Sequence, residues 1–523
     1  MLQIKNLKLV HKKDFRVLLD GFSLVLNPGD KAVIIGEEGD GKSTLLKWIY
    51  DPQMVSEYAE AEGERILPNE RLGYLPQELP EELADRTVYE FFTEDEVFWD
   101  QSPKELHDLA EKLSLPADFY YSGQRMGSLS GGEKIKAQLL RLLIQAPTVL
   151  LLDEPSNDID IETLTWLEEF IRNAPEAILF VSHDEVLIEK TANVIIHIEQ
   201  LHRKSQSRVS VMRMSYEDYV RFREARMQNQ EALALTQRRE AKIRDEKFRR
   251  IEQSVAHAQA AISRQDPHGG KLLKKKMHTV KAMEKRYTRE NEEMAEIPES
   301  ETAMEVHIGS PASAVPSGKV VIDFSLDVLM CPDGSRELSR NVKLFVRGPE
   351  KICILGKNGA GKSTLIKRIA DDLLSRPDLS AEYMPQNYED LLAGDLTPVR
   401  FLSRTGTKEE LTKIRTYLGT MKFTADEMDH RLSDLSGGQR AKIFLLKISL
   451  SDANVLILDE PTRNFSPLSG PVIRRMLRAF PGAIISISHD RKYIEEVCDT
   501  GYLLTKEGLI TCPLRGPMSG NPE

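Results

Sequence analysis

Two stretches of this chain carry the residue types that hold a triphosphate. They are Gly36-Glu37-Glu38-Gly39-Asp40-Gly41-Lys42-Ser43-Thr44 and Gly356-Lys357-Asn358-Gly359-Ala360-Gly361-Lys362-Ser363-Thr364. The glycines Gly36, Gly39 and Gly41, like Gly356, Gly359 and Gly361, let backbone N–H groups wrap phosphate oxygens. Lys42 and Lys362 reach the terminal phosphates, and the Ser43 and Ser363 hydroxyls bind magnesium. Thr44, Thr364 and Asn358 complete the two sets of nucleotide candidates.

Each loop is followed by the same series. Tyr74-Leu75-Pro76-Gln77 has its counterpart in Tyr383-Met384-Pro385-Gln386. Leu129-Ser130-Gly131-Gly132-Glu133 is matched by Leu435-Ser436-Gly437-Gly438-Gln439, a serine and two glycines opening a helix, which makes an anion site of phosphate size. The apolar runs Val149 to Leu152 and Leu456 to Leu458 each end in Asp-Glu-Pro. The natural division of labour gives Asp153 and Asp459 to the magnesium shell, and Glu154 and Glu460 to the attacking water. His183 and His489, in Ser-His-Asp triplets, follow a further strand and stand at the edge where open α/β sheets bind ligands. The serine, aspartate and histidine motifs recur at one offset of 306 residues. Repetition at a fixed spacing defines architecture.

These residues demand short buried strands that run into phosphate-binding helices. The expected fold class is therefore α/β: two P-loop ATPase domains in tandem, joined by a long α-helical hairpin. The chain has 523 residues, 29% charged and 41% hydrophobic, as in a globular protein of several domains. No apolar run is long enough to span a membrane, the first residues lack a secretory h-region, and the four cysteines lack metal-ligand spacing. A cytoplasmic protein with reduced thiols is expected.

The middle has a different character. From Tyr216 to about Ile262 there is no proline or glycine, and every seventh residue is apolar: Val220, Met227, Ala234, Ala241, Phe248, Val255, Ile262. That is a coiled-coil seam. Asp266-Pro267-His268-Gly269-Gly270 is expected to end the helix and turn the chain, and Leu273, Val280, Tyr287 and Met294 carry the seam back. Between Ser263 and Arg289 nine basic residues face two acidic ones, in a chain of formal net charge -11. A basic tip on an acidic protein points to a polyanion bound through phosphates.

With those residues quoted, the chain resembles the ATP-binding cassette superfamily over nearly its whole length. Gln77 and Gln386 look like Q-loop glutamines, which adds them to the magnesium candidates. Ser130, Gly131, Gly132 and Ser436, Gly437, Gly438 look like signature motifs, and His183 and His489 like switch histidines. The resemblance implies that two cassettes close head to tail, so that Lys42 works with Ser436 and Lys362 with Ser130. ATP and Mg2+ are the implied cofactors.

Two cassettes, no membrane domain and a helical linker resemble the ABC-F subfamily. That resemblance implies a monomer bound to the 70S ribosome at the E site, its linker reaching 23S rRNA and the P-site tRNA near the peptidyl-transferase centre. Lys271, Leu272, Lys274, Lys275, Lys276, Met277 and His278 are the contact candidates. The tract Arg463-Asn464-Phe465-Ser466-Pro467 resembles the antibiotic-resistance (ribosomal protection) branch; a housekeeping translation factor is the alternative. A transporter's ATPase subunit and a DNA-repair ATPase are further classes, and neither accounts for the basic hairpin between two unsplit cassettes. The expected domains are 1–204, with a short helical insertion at about 78–128, the linker 205–300, the second cassette 301–510 and a disordered tail 511–523.

Two further expectations concern the first P-loop. Glu37, Glu38 and Asp40 stand where neutral residues are usual, and they are expected to point to solvent, with unequal sites as a result. Phe15 is a loose candidate for stacking on adenine, and a core phenylalanine is the preferred reading.

Overall fold

The computed structural model describes residues 1–201, 206–261, 267–292, 308–309, 313–388 and 396–514. Contacts divide the chain into two units, Met1–Tyr216 together with Glu301–Glu523, and Glu217–Ser300.

The first unit is α/β and built twice. Its first six-stranded sheet has the spatial order Leu72–Leu75, Val149–Asp153, Ala177–Val181, Lys31–Ile35, Val194–Leu201, Gln206–Met212. The second has the same order with Ala381–Met384, Val455–Asp459, Ala483–Ile487, Lys351–Leu355, Thr500–Thr505, Gly508–Cys512. All neighbours pair in parallel except the last, antiparallel strand. The three central strands of each sheet are buried along their whole length. Continuous apolar runs such as AVII and VLLL follow from that, because helices cover both faces of a parallel sheet. An antiparallel layer flanks each cassette: Val17–Leu26, Leu2–His11 and Ala59–Ile66 in the first, Val320–Met330 and Glu337–Arg347 in the second.

This order positions the chemistry. In the first sheet Val181 pairs with both Ile34 and Asp153. The loops carrying the P-loop, the acidic pair and His183 thus leave three adjacent strands at one edge. Ile487 plays the same part between Ile354 and Asp459.

Residues 78 to 128 form short helices, Glu81–Ala84, Val88–Thr93, Glu96–Asp100 and Pro103–Lys112, around a cluster of Phe92, Phe98 and Tyr120 rings. The tail expected from residue 511 does not begin there: Thr500–Thr505 turns back to pair with Gly508–Cys512, so Thr511 and Cys512 belong to the sheet edge. Residues 515–523, where a tail was expected, lie outside the described residues.

The second unit holds two long helices, Tyr216–Ala261 of 46 residues and Pro267–Glu292 of 26 residues. At 1.5 Å per residue the longer is about 70 Å long. Ala234, Ala241, Val255 and Val280 are buried. The Phe248 and Tyr287 rings meet edge to face at 5.8 Å, and the Arg244 guanidinium lies over Tyr287 at 4.6 Å. The expected seam is real at these positions; Ile262, Met294 and the side chain of Leu273 lie outside the described residues. One expectation fails. Pro267 to Gly270 do not form the turn but the first turn of the return helix. Proline is at ease there, where its missing N–H has no helical partner and its φ is already helical. Asp266 and Arg264 lie outside the described residues.

Candidate active sites

Each P-loop closes with a glycine in left-handed backbone, Gly41 at φ 91° and Gly361 at φ 97°, immediately before its helix, Lys42–Tyr50 or Lys362–Ser375. A Cβ on Gly361 would lie 2.8 Å from Leu338 Cδ1, so both conformation and space require glycine. Both lysines are buried. Lys42 Nζ donates to the carbonyls of Gly36 (3.1 Å) and Glu37 (2.9 Å), and Lys362 Nζ to those of Gly356 (2.8 Å) and Lys357 (3.1 Å). The ammonium groups are thus folded back over loops that can pass them to a phosphate.

Ser43 Oγ donates to Asp153 Oδ1 at 2.9 Å, and Ser363 is hydrogen-bonded to Asp459. A hydroxyl and one carboxylate suit magnesium, which takes oxygen ligands and keeps the rest of its shell as water and phosphate. No group of three or more His, Cys, Asp or Glu that could hold a metal occurs among the described residues. Burial raises the pKa of Asp153, and raises that of Asp459 to about 6. A cation beside them would reverse that shift. Tyr74, unassigned from sequence, donates its hydroxyl to Asp153 Oδ2 at 3.2 Å.

Glu154 and Glu460 both sit at positive φ, 51° and 55°, the strained turn that carries each carboxylate off its strand. Their surroundings differ. Glu154 Oε1 lies 2.9 Å from His183 Nε2, while His183 Nδ1 lies 2.6 Å from the carbonyl oxygen of Phe465. Burial pushes Glu154 up, but His183 and Lys42 together outweigh it and hold the carboxyl below its usual range. Glu460 Oε1 is 3.8 Å from His489 Nε2, and Glu460 Oε2 accepts the His489 backbone N–H at 3.2 Å. With that weaker compensation, burial raises Glu460 to about 8 and lowers His489 to about 4.

Head-to-tail pairing is what the geometry displays. Asn358 Nδ2 donates to Asp158 O at 2.5 Å, and Arg463 Nη1 lies 2.9 Å from Asp158 Oδ1. A cavity of about 870 Å3 lies at the second P-loop. Lys362, Ser363, Gln386, Asp459, Glu460 and His489 line it from one side, and Gly131 with Lys134 and Gln138 from the other. Gln77 also faces this cavity. Ser130 and Ser436 cap the facing helices Gly131–Ile144 and Gly437–Leu450. Each does so in a capping box, with Glu133 and Gln439 respectively.

The first P-loop corrects an expectation. Its acids do not point to solvent. Asp40 is buried and its Oδ2 accepts the Glu37 N–H at 2.7 Å. Glu37 is ion-paired with Lys442, and Glu38 accepts the Gly438 N–H, both partners belonging to the second cassette. Phe15 is a second correction. It is 79% exposed at φ 53°, not in the core, and its neighbour Arg16 donates to Gly39 O of the P-loop at 2.8 Å. Arg336 repeats that contact with Gly359 O at 3.3 Å. Arg16 and Arg336 share the spacing of the two P-loops, a signal the motifs alone do not expose. Of the linker candidates, Leu272, Lys274, Lys275, Lys276 and His278 are exposed and Met277 is half-buried; the side chain of Lys271 lies outside the described residues.

The sequence pattern of the family described as ABC transporter matches residues 19–157 and 339–463. The chain is 26% identical over 533 residues to the probable ATP-binding protein YheS of Escherichia coli (strain K12), covering 94% of this chain and 77% of that protein. It is 28% identical over 511 residues to the ribosome protection protein VmlR of Bacillus subtilis (strain 168), covering 92% of this chain and 83% of that one. An archaeal ribosome recycling factor, solved in complex with a ribosomal stalk protein, superposes with a TM-score of 0.57 at 17% identity. It covers 97% of this chain and 90% of its own, which is a likeness of fold.

Proposed function

We propose, for a chain that belongs to the ABC transporter family, that it is a ribosome-binding ATPase of the ABC-F kind whose linker reaches from the E site toward the peptidyl-transferase centre. The chain carries two tandem ABC ATPase domains, which bind and hydrolyse ATP. Among the described residues no helix is long and apolar enough to cross a membrane.

Within the sites, Lys42 and Lys362 neutralise phosphate charge, and Ser130 and Ser436 present helix N-termini to the opposite nucleotide. Ser43 with Asp153, and Ser363 with Asp459, would hold Mg2+, helped by Gln77 and Gln386; the ion supplies charge neutralisation to the phosphates. Glu460 takes the proton of the attacking water, and His489 orients the site at its edge. Glu154 and His183 hold the corresponding places in the first site.

The observation that carries this reading is the combination of paired cassettes in one unit with a long basic helical hairpin. A closed pair that opens after hydrolysis is a two-state device, and the hairpin gives it something to move. The partners are the 70S ribosome, with 23S rRNA and the P-site tRNA contacted by residues 271 to 278. Ribosomal protection against antibiotics is favoured over a housekeeping role by the relative named for ribosome protection and by the tract Arg463 to Pro467.

Drug susceptibility of cells expressing the chain tests it. Protection predicts raised inhibitory concentrations for drugs of the peptidyl-transferase centre, lost when Leu272 to His278 are replaced. Unchanged susceptibility alongside a translation defect on deletion would give the housekeeping role instead.

A further inference from the structure

Glu38 has a chemical counterpart in the second P-loop that is uncharged. Glu38 and Asn358 occupy the same place in the two loops. Asn358 spends its amide on the Asp158 carbonyl, leaving the cavity beside Lys362 open. Glu38 instead crosses to the opposite signature, where its Oε2 accepts the Gly438 N–H. A Cβ on Gly438 would fall 2.6 Å from that oxygen, and one on Gly437 would fall 3.1 Å from Oε1. The two glycines therefore leave a carboxylate-sized space in front of the helix Gly437–Leu450, and Glu38 fills it.

The groups around that carboxylate are the ones that would receive a terminal phosphate. The Ser436 hydroxyl bonds to it, and Lys42, His183 and Glu154 act on it electrostatically. Burial raises its pKa above the usual carboxylate range, against the pull of His183, Lys42 and the Ser436 hydroxyl toward the anion. The loop is fixed in this pose by its neighbour: Glu37 pairs with Lys442 and lies 3.9 Å from Lys422. In the second site the matching residues do not form that pair. Lys136 lies over the Trp166 ring at 4.7 Å, and Lys357 meets the exposed Glu162 at 3.4 Å.

We propose that Glu38 is a built-in substitute for the terminal phosphate, which makes the first site selective for a nucleoside diphosphate while the second takes the triphosphate. This rests on residues 36 to 44 and Ser436 forming a nucleotide site. A diphosphate on Lys42 and Ser43 leaves Glu38 on Gly438, and the two halves of the site close on a complete set of negative charges. A triphosphate would place its last phosphate against the carboxylate, like charge on like charge. The first site thus stays closed on diphosphate while the second cycles, and Glu154 acts as a partner that orients His183.

The test is equilibrium binding of Mg·ADP and Mg·ATP to the full-length Lys362→Ala chain, in which only the first site retains its lysine. ADP is expected to bind at least tenfold more tightly than ATP, and Glu38→Asn, which installs the residue of the second loop, to abolish or reverse that preference. Glu38→Gln, which keeps the shape and removes the charge, is expected to do the same in part. Equal or tighter ATP binding by the chain that retains Glu38 overturns the proposal, whatever the variants do. Binding of neither nucleotide, with no further change in Lys42→Ala, overturns the nucleotide site itself and the proposal with it.

Discussion

Arg474 of the second cassette and Glu185 of the first form a buried ion pair, Nη1 to Oε1 2.6 Å and Nη2 to Oε2 3.3 Å, with side chains only 3% and 8% exposed. Lys492 adds a contact to Glu185 at 3.0 Å, and Arg491 reaches Asp184 at 3.3 Å beside its pair with Glu168. The first cassette supplies the acids and the second the bases. Such complementarity fixes one register of the two domains and disfavours others. A Cβ on Gly470 would lie 2.2 Å from Glu185 Oε1, so the second cassette keeps a glycine where the acid enters.

Removing Arg474 takes away the two-pronged partner of the buried Glu185 and leaves that carboxylate the contact from Lys492 at 3.0 Å. Arg474→Ala is expected to cost about 3–5 kcal/mol, read as a lower denaturant midpoint for the cassettes. Arg474→Met with Glu185→Leu should restore most of that loss. Equal midpoints for wild type and Arg474→Ala would show that the pair is not shielded from water.

Glu460 gives a pH dependence with a definite sign. As a base it must be ionised, and with a pKa raised to about 8 it gains activity as pH climbs. The kcat/KM for ATP, which reports the free enzyme, should rise from pH 6 to a plateau above about 8. His489, lowered to about 4, stays neutral across that range. A plateau already reached at pH 6 would contradict the assignment. The stability of the nucleotide-free chain runs the other way. A folded pKa raised above the model-peptide value of about 4.3 gives a contribution present at low pH and lost as pH rises through about 8. Glu460→Gln should therefore flatten the decline in Tm between pH 6.5 and 8.5.

The two acidic pairs should also separate in turnover. Glu460→Gln is expected to lower ATP hydrolysis by roughly 100-fold or more, whereas Glu154→Gln stays within about threefold of wild type, since its site holds Glu38 where the reacting phosphate would be. Indistinguishable losses in single-turnover assays would remove the asymmetry.

Lys274, Lys275 and Lys276 are exposed on the return helix. Replacing all three with Gln should weaken binding to a polyanion without altering ATP hydrolysis in its absence. If each lysine neutralises one phosphate, the slope of log affinity against log salt becomes shallower by roughly 2. An unchanged slope would place the interaction elsewhere.

Much of this was legible because the chain states it twice. The Ser130, Asp153 and His183 motifs and their counterparts name their own strands, since a buried run such as Val149 to Leu152 followed by carboxylates fits only a parallel sheet edge. What could not be read depends on contacts made across the cassette interface. The orientation of Glu38 is decided by Gly438, 400 residues away along the chain, and local sequence carries no record of that meeting. The same holds for His183 on the Phe465 carbonyl, a bond to backbone that side-chain identity does not encode. Phe15 reads as core because an aromatic beside a strand is most often buried, whereas its positive φ turns it out. Pro267 reads as a helix end because proline stops a helix that precedes it; it also starts the one that follows.

The proposed function requires the paired cassettes to engage the ribosome when ATP closes them. Co-sedimentation of the Glu154→Gln, Glu460→Gln double variant with bacterial 70S ribosomes tests it most directly, because blocking hydrolysis holds the ATP-bound state. The variant is expected to run with 70S particles in ATP and to leave them when ATP is withheld. A variant that stays at the top of the gradient in ATP would contradict it, leaving an ATPase whose hairpin serves another partner.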